Sequence, residues 1–262
     1  LVTRRRSVAL LSALLCCAAA RAMASGPYDA MILADPSLAH YWDGSSLSDR
    51  GPGGPATLAC TGTCATAQTL GVNVKGYTAT QYLSVTTTLF QVQNGSPAFS
   101  FEIWINGTNT STEGGLFTGG SYAYITIENS PNPGAPKVSL SGVVSASILA
   151  PSGGYANGAA HLVTMACGPT GNSQVGTCDL LVDGVLQTGS PATYQISTDV
   201  YPGVLYLGGQ SGGSVWGGAF GGVAVYRGER ISAATALAHY QCGALNQCGA
   251  YGTLPPAPVL LQ

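Results

Sequence analysis

What most constrains this chain is a series of short apolar runs, each cut off by turn residues before it can become a helix. Phe99-Ser100-Phe101-Glu102-Ile103-Trp104-Ile105 alternates cleanly, which places Phe99, Phe101, Ile103 and Ile105 on one face of a strand. Further runs rich in β-branched and aromatic residues occupy Leu38–Trp42, Gly71–Lys75, Gln81–Val85, Tyr122–Glu128, Lys137–Ser141, Ala160–Ala166, Asp179–Val182, Val185–Thr188, Val204–Leu207 and Ala219–Tyr226. Gly, Pro, Asn and Ser separate them, and 37 glycines and 15 prolines suffice to end each run in a turn. Asp183-Gly184, between two of the runs, is the signature of a type I′ hairpin, whose central positions both need positive φ. Helical spacing is confined to Tyr28–Ala34, stopped by Asp35-Pro36, and to Ala233–Tyr240, with Ser232 placed as its N-cap. About eleven strands with no strand–helix alternation predict an all-β, two-sheet antiparallel sandwich with short flanking helices.

Residues 1–24 have the pattern of an export signal. Arg4-Arg5-Arg6 form a positive head, Val8 to Ala20 is apolar, and Ala22-Met23-Ala24 supplies a small-x-small cleavage site before Ser25. Ala20-Arg21-Ala22 is the second candidate site. An apolar run of about 13 residues falls short of the ~20 that span a bilayer, so no membrane anchor is expected after cleavage. The expected organisation is a signal over 1–24, one domain over 25–250 and a Pro-containing tail over 251–262, in a secreted, extracellular protein. Four of the nine basic residues lie in the signal, leaving five against all eleven acids. That balance excludes nucleic acid, whose binding is driven by phosphate neutralisation, and a polybasic membrane patch on the same ground.

Cys16 and Cys17 leave with the signal, and six cysteines remain. They fall into three local pairs, Cys60/Cys64, Cys167/Cys178 and Cys242/Cys248, and an even number in an exported chain favours disulfides. Local pairing is the expectation because each short segment reads as a turn or hairpin, although six cysteines allow 15 pairings. A zinc site is disfavoured, since none of the spacings is the tight Cys-x-x-Cys knuckle.

The order of these elements resembles the laminin G-like, concanavalin A-like jelly-roll domains. Tyr28 to Trp42, with His40-Tyr41-Trp42 at its end, resembles the opening of that family. Gly71 to Gly76 followed by Gln81-Tyr82-Leu83-Ser84-Val85, and Phe99 to Trp104, are similar to its early strands. His161-Leu162-Val163-Thr164, the Leu180 to Val185 hairpin, and Leu205 to Gly209 followed by Phe220 to Tyr226 resemble its later ones, and Ser232 to Tyr240 its final helix. The resemblance spans roughly 28–243 and implies a concanavalin A-like jelly-roll sandwich. The cysteine pairs and glycine-rich loops depart from the family, and one fold hosts many functions, so the ligand does not carry over.

Catalytic patterns are sparse. A retaining glycosidase needs two carboxylates about 5–5.5 Å apart, yet none of Glu102, Glu113, Glu128 and Glu229 has a second acid within four positions. Glu102 is expected to point off the core face of its strand. His40, His161 and His239 sit beside apolar neighbours, where packing against a backbone partner is the expectation. The pairs Gly208-Gly209, Gly212-Gly213, Gly217-Gly218 and Gly221-Gly222 precede strand-like sequence rather than a helix, so they read as turns and close backbone packing, not a phosphate loop. Calcium is the candidate cofactor, with Asp43, Asp49 and Asp199 as loop ligands. Tyr122, Tyr124, Tyr155 and Trp216 are the candidate sugar platforms, because C–H faces stack on rings. The expected function is non-catalytic recognition of a glycan or cell-surface glycoconjugate. The alternatives are a self-assembling surface protein, whose partner is another copy or another surface protein, and a polysaccharide-active enzyme.

Overall fold

The computed structural model describes residues 26–79, 82–86, 98–108, 114–119, 123–127, 133–140, 146–151, 154–170, 175–195, 204–209 and 215–248. Two sheets carry the described strands. The first runs in the order β13 (Val185–Leu186), β12 (Val175–Val182), β11 (Ala160–Pro169), β6 (Phe99–Asn106), β16 (Ala219–Arg227), β4 (Lys75–Ala79) and β3 (Cys64–Thr69). β1 (Leu38–Trp42) also pairs with β16, and β14 (Ala192–Gln195) with β12, making nine described strands. The second sheet runs β10 (Ala146–Leu149), β9 (Pro136–Leu140), β8 (Ala123–Ile127), β7 (Gly114–Gly119), β15 (Val204–Leu207), β5 (Tyr82–Thr86) and β2 (Ala59–Thr61). Every pairing is antiparallel, so the expected all-β, two-sheet sandwich is the observed one.

Strand β6 shows how alternation builds two cores. Phe99, Phe101, Ile103 and Ile105 enter the core between the sheets, against Leu83, Val85, Ile125 and Leu205 of the second sheet. Trp104, on the other side of β6, enters a second core with Leu162, Leu181 and Tyr226. The helices α1 (Pro27–Leu33) and α2 (Ala233–Leu245) close that second core with Tyr28, Ile32, Ala236 and Cys242. Each fully buried aliphatic or aromatic side chain contributes about 1.5–3 kcal/mol, so both faces of β6 bear on stability. Trp104 also donates its indole N–H to the Tyr28 hydroxyl at 2.8 Å, which ties α1 to the sheet.

Glycines let the central strands turn and close up. β16 pairs with β4 through Ala219–Gly221 and with β1 through Val223–Tyr226, and its register with β6 shifts between Gly221 and Ala224. At Gly222, in that shift, φ is 51° and a Cβ would lie 2.7 Å from Trp104 Cδ1, so only glycine fits. The glycine-dense stretch thus serves close packing where it is described. Cys60–Cys64, Cys167–Cys178 and Cys242–Cys248 are all bonded, which is the expected local pairing. Of the expected Gly71–Lys75 strand only Lys75 belongs to one, as the first residue of β4: Asn73 instead donates to the α2 end, through its backbone N–H to Gly243 O and its side chain to Cys242 O. α2 likewise continues to Leu245, past the expected stop at Tyr240, and ends on Asn246 in the left-handed region.

Candidate functional site

The two outer faces of the sandwich differ in chemistry. Both described helices cover the nine-stranded sheet, and neither lies on the seven-stranded one. On the latter, Leu83, Val85, Leu205, Leu207, Ile125, Val138 and Ile148 point into the core, so the alternate positions face outward. The register aligns those positions. Ala59 pairs with Ser84, Ser84 with Tyr206, Tyr206 with Thr118, Thr118 with Tyr124, Tyr124 with Ser139 and Ser139 with Ser147. One row therefore crosses the whole sheet, a span of roughly 29 Å at about 4.8 Å per strand. Six of its seven positions are Ser, Thr or Tyr.

The described side chains of this face grade in accessibility. Ser147 is exposed, Ser84, Tyr82 and Tyr206 are half-buried, and Ser139 is buried. Tyr82 meets Tyr206 edge to face, with ring centroids 5.2 Å apart. Thr126, two residues along β8 from Tyr124, is buried, and its hydroxyl has no hydrogen-bond partner among the described residues. Lys137 is the single charged residue in these seven strands. A row of hydroxyls with a pair of aromatic rings can stack apolar faces and fix polar groups by donating and accepting.

The residues singled out from sequence divide. Tyr124 holds a register position in the row, whereas Tyr122 and Asp199 lie outside the described residues. Tyr155 lies apart from the row. It is half-buried against the inter-sheet core, its hydroxyl 3.4 Å from Gln187 Oε1 and its ring edge-on to His161. Burial, with the Asp183 charge, raises its phenol pKa. Trp216 corrects the expectation of an exposed platform: it is 1% exposed, lies in the inter-sheet core and donates its indole N–H to Ala219 O. Tyr206 and Tyr82 were legible as outward tyrosines beside core leucines, but only the register joins them to a surface.

The two described calcium candidates, Asp43 and Asp49, both have partners within the chain. Asp43 accepts from the Ser45 N–H and hydroxyl at 2.8 and 2.7 Å and pairs with the Arg50 guanidinium, which also lies 3.5 Å from Asp29. Burial pushes the Asp43 pKa up, but the Ser45 and Arg50 contacts outweigh it and hold the carboxyl below its ordinary value. Asp49 accepts from the N–H groups of Tyr41 and Gly51 and pairs with His40 Nδ1 at 2.5 Å. Both carboxylates are thus engaged within the chain. Among the described residues no group of three His, Cys, Asp or Glu is gathered for a metal.

The histidines differ from expectation in a consistent way. Each sets Nδ1 against a carboxylate rather than a backbone group: His40 on Asp49, His161 on Asp183 at 2.7 Å and His239 on Glu102 at 2.8 Å. Glu102 does point off the inter-sheet core, but into the second core, fully buried. Its Oε1 accepts from Thr164 and its Oε2 from Tyr226 and His239. Burial opposes a charged His239, yet the Glu102 carboxylate outweighs it and raises the imidazole pKa.

No protein-family model and no curated protein sequence matches the chain. Solved structures do match in shape. Domain 4 of the GH43 extracellular arabinanase AbnA from Geobacillus stearothermophilus, solved with arabinotriose, aligns with a TM-score of 0.55 at 15% identity, over 78% of this chain and 98% of that domain. The botulinum neurotoxin serotype D binding domain aligns with a TM-score of 0.55 at 12% identity, over 78% of this chain and 50% of that one. The binding domain of botulinum neurotoxin DC, solved in complex with SialylT, gives 0.53 at 11% identity. The chain thus spans about half the length of the neurotoxin structures and nearly all of the arabinanase domain. At these identities the likeness is one of fold, a β-sandwich.

Proposed function

We propose that this protein is a non-catalytic recognition module that binds neutral glycans across the outer face of its seven-stranded sheet. The observation that carries the reading is the Ser84–Tyr206–Thr118–Tyr124–Ser139–Ser147 row, uncharged and rich in hydroxyls, with Tyr82 beside it. A sugar in an extended chain is about as long as one strand spacing, so successive sugars can meet successive strands. The fold neighbours solved with arabinotriose and with SialylT support a glycan as the ligand, and the preference for a neutral one rests on the uncharged row alone. The non-catalytic part is supported by Glu102, which is enclosed by Thr164, Tyr226 and His239. Three disulfides support work outside the cell, as a secreted adhesion module on glycan-bearing surfaces.

A glycan array on the purified protein, run with calcium and with chelator, is the test. Binding indifferent to chelator is expected. Tyr206→Ala removes a stacking ring and a hydroxyl, together about 1.4–2.8 kcal/mol, or roughly 10- to 100-fold in Kd. Tyr155→Ala, away from the row, is expected to leave Kd unchanged. Binding on no glycan, or equal affinity in Tyr206→Ala, would refute the assignment.

A further inference from the structure

α2 (Ala233–Leu245) turns one side to water, yet it carries no Asp, Glu, Lys or Arg, and its histidine, His239, is buried against Glu102. A helix with a solvated face ordinarily carries charged residues there. Ala233, Ala234, Leu237 and Leu245 are exposed instead, with Gln241 half-exposed between the two leucines. Among the described residues the exposed large apolar side chains are Val72, Val185, Leu186, Leu237 and Leu245, and all but Val185 lie on or beside this helix. The hairpin before Val185 abuts its first half: a Cβ on Gly184 would lie 2.2 Å from Leu237 Cα. The loop after Val72 abuts its second half, where Asn73 bonds to Gly243 O and to Asn246 Oδ1.

The strip has a centre. Leu237 and Leu245 stand equally far along the helix on either side of Gln241, and each has an exposed apolar neighbour, Leu186 at one end and Val72 at the other, whereas Val185, opposite Val182, lies on the other side of its strand. We propose that this strip is a self-complementary interface on which two copies of the chain pair with their α2 helices antiparallel about a two-fold axis at Gln241. The axis sets Leu237 of one copy against Leu245 of the other, and the reverse, as an isologous contact requires. It also brings the two Gln241 amides together, where each N–H can donate to the other's carbonyl oxygen. With no charge among the exposed residues of the helix, identical surfaces meet without like-charge repulsion. The alanines permit close approach along the ridge that residues four apart form. The helix is only about 20 Å long, too little for the roughly 800 Å² per copy of a standard interface without the flanking hairpin and loop. A concentration-dependent dimer follows. Because α2 lies on the nine-stranded sheet, pairing leaves both seven-stranded faces outward and opposed.

Sedimentation velocity on the purified protein tests the pairing, with a Kd expected in the micromolar range, about 1–100 μM. Leu237→Glu, at a solvent-facing position, is expected to be monomeric with an unchanged thermal midpoint. Should that variant lose stability, Gln241→Glu sets two like charges on the axis and is expected to dissociate the dimer as well. Gln241→Cys is expected to cross-link to itself with a short bismaleimide, while Ala233→Cys, which the axis places far from its own copy, is not. A wild-type chain that stays monomeric at about 1 mM overturns the proposal. So does a dimer unaffected by Leu237→Glu and Gln241→Glu, or cross-linking through Ala233→Cys but not Gln241→Cys.

Discussion

Replacing Glu102 with alanine is expected to cost about 3–5 kcal/mol of folding free energy, the range for breaking a buried ion pair by removing one partner. Glu102 on β6 collects Thr164 Oγ1 from β11 at 3.1 Å, the Tyr226 hydroxyl from β16 at 2.9 Å and His239 Nδ1 from α2 at 2.8 Å. Alanine leaves all three without their acceptor in apolar surroundings and loosens α2 from the sheet. For a domain of this size the loss lowers the thermal midpoint by roughly 6–20 °C, readable by near-ultraviolet circular dichroism alongside urea melts. Glu102→Gln keeps the shape, with its carbonyl toward Tyr226 and His239 and its amide toward Thr164, so it costs less and isolates the charge. The charge also makes stability depend on pH. The folded state holds the His239 proton more tightly than the unfolded chain, because Glu102 outweighs burial, with Asp35 and Glu229 adding to it. That stabilisation is full below the unfolded pKa of about 6.5 and is lost as pH rises through the higher folded value. Glu102→Gln is expected to flatten this decline. A Glu102→Ala penalty below about 1 kcal/mol at pH 6 would refute the reasoning.

The same buried architecture makes further outcomes measurable. Gly243→Ala is expected to destabilise by about 1–3 kcal/mol in urea melts, since the new Cβ would lie 2.3 Å from Trp104 Cζ2, outweighing alanine's better helix propensity. Under mild reductant and alkylation, mass spectrometry is expected to find Cys60–Cys64 opened first, because Cys60 is exposed, and Cys167–Cys178 last, because both its cysteines are fully buried. Replacing Cys167 and Cys178 together with alanine is expected to cost about 3 kcal/mol in chemical denaturation, the chain-entropy value for a closed loop spanning 11 positions.

Local pattern carried much of the fold. The alternation of Phe99 to Ile105 separates the inter-sheet core from the second one, and Asp183-Gly184 turns with positive φ at both residues. Strands β3, Cys-Ala-Thr-Ala-Gln-Thr, and β7, Gly-Gly-Leu-Phe-Thr-Gly, escaped because their residues have little strand preference of their own. They are strands because β4, and β8 with β15, offer them hydrogen-bonding edges. α2 runs past the expected end at Tyr240 for a related reason: the missing Cβ of Gly243 admits Trp104, and that packing carries the helix to Leu245. The candidate site was the least legible part. Tyr206 and Ser139 are far apart in sequence, and only the register of β5, β15, β7, β8 and β9 brings them into one row.

Where the charges go decides how this molecule should respond to salt. Among the described residues Asp29, Asp43, Asp49, Glu102, Asp179 and Asp183 each face a basic or imidazole group within the chain, and Lys137 is the one charged residue in the strands of the seven-stranded sheet. Raising salt from about 0.1 M to 1 M shortens the Debye length from about 10 Å to 3 Å and removes most surface electrostatics. Hydrogen bonds to hydroxyls and stacking on Tyr206 are barely touched by that change, so glycan affinity is expected to move less than about twofold across the range. Isothermal titration at both salt concentrations measures it. A tenfold loss at high salt would instead make Lys137, the one charge among the strands of that face, the anchor of an acidic ligand, and would refute the neutral-glycan assignment.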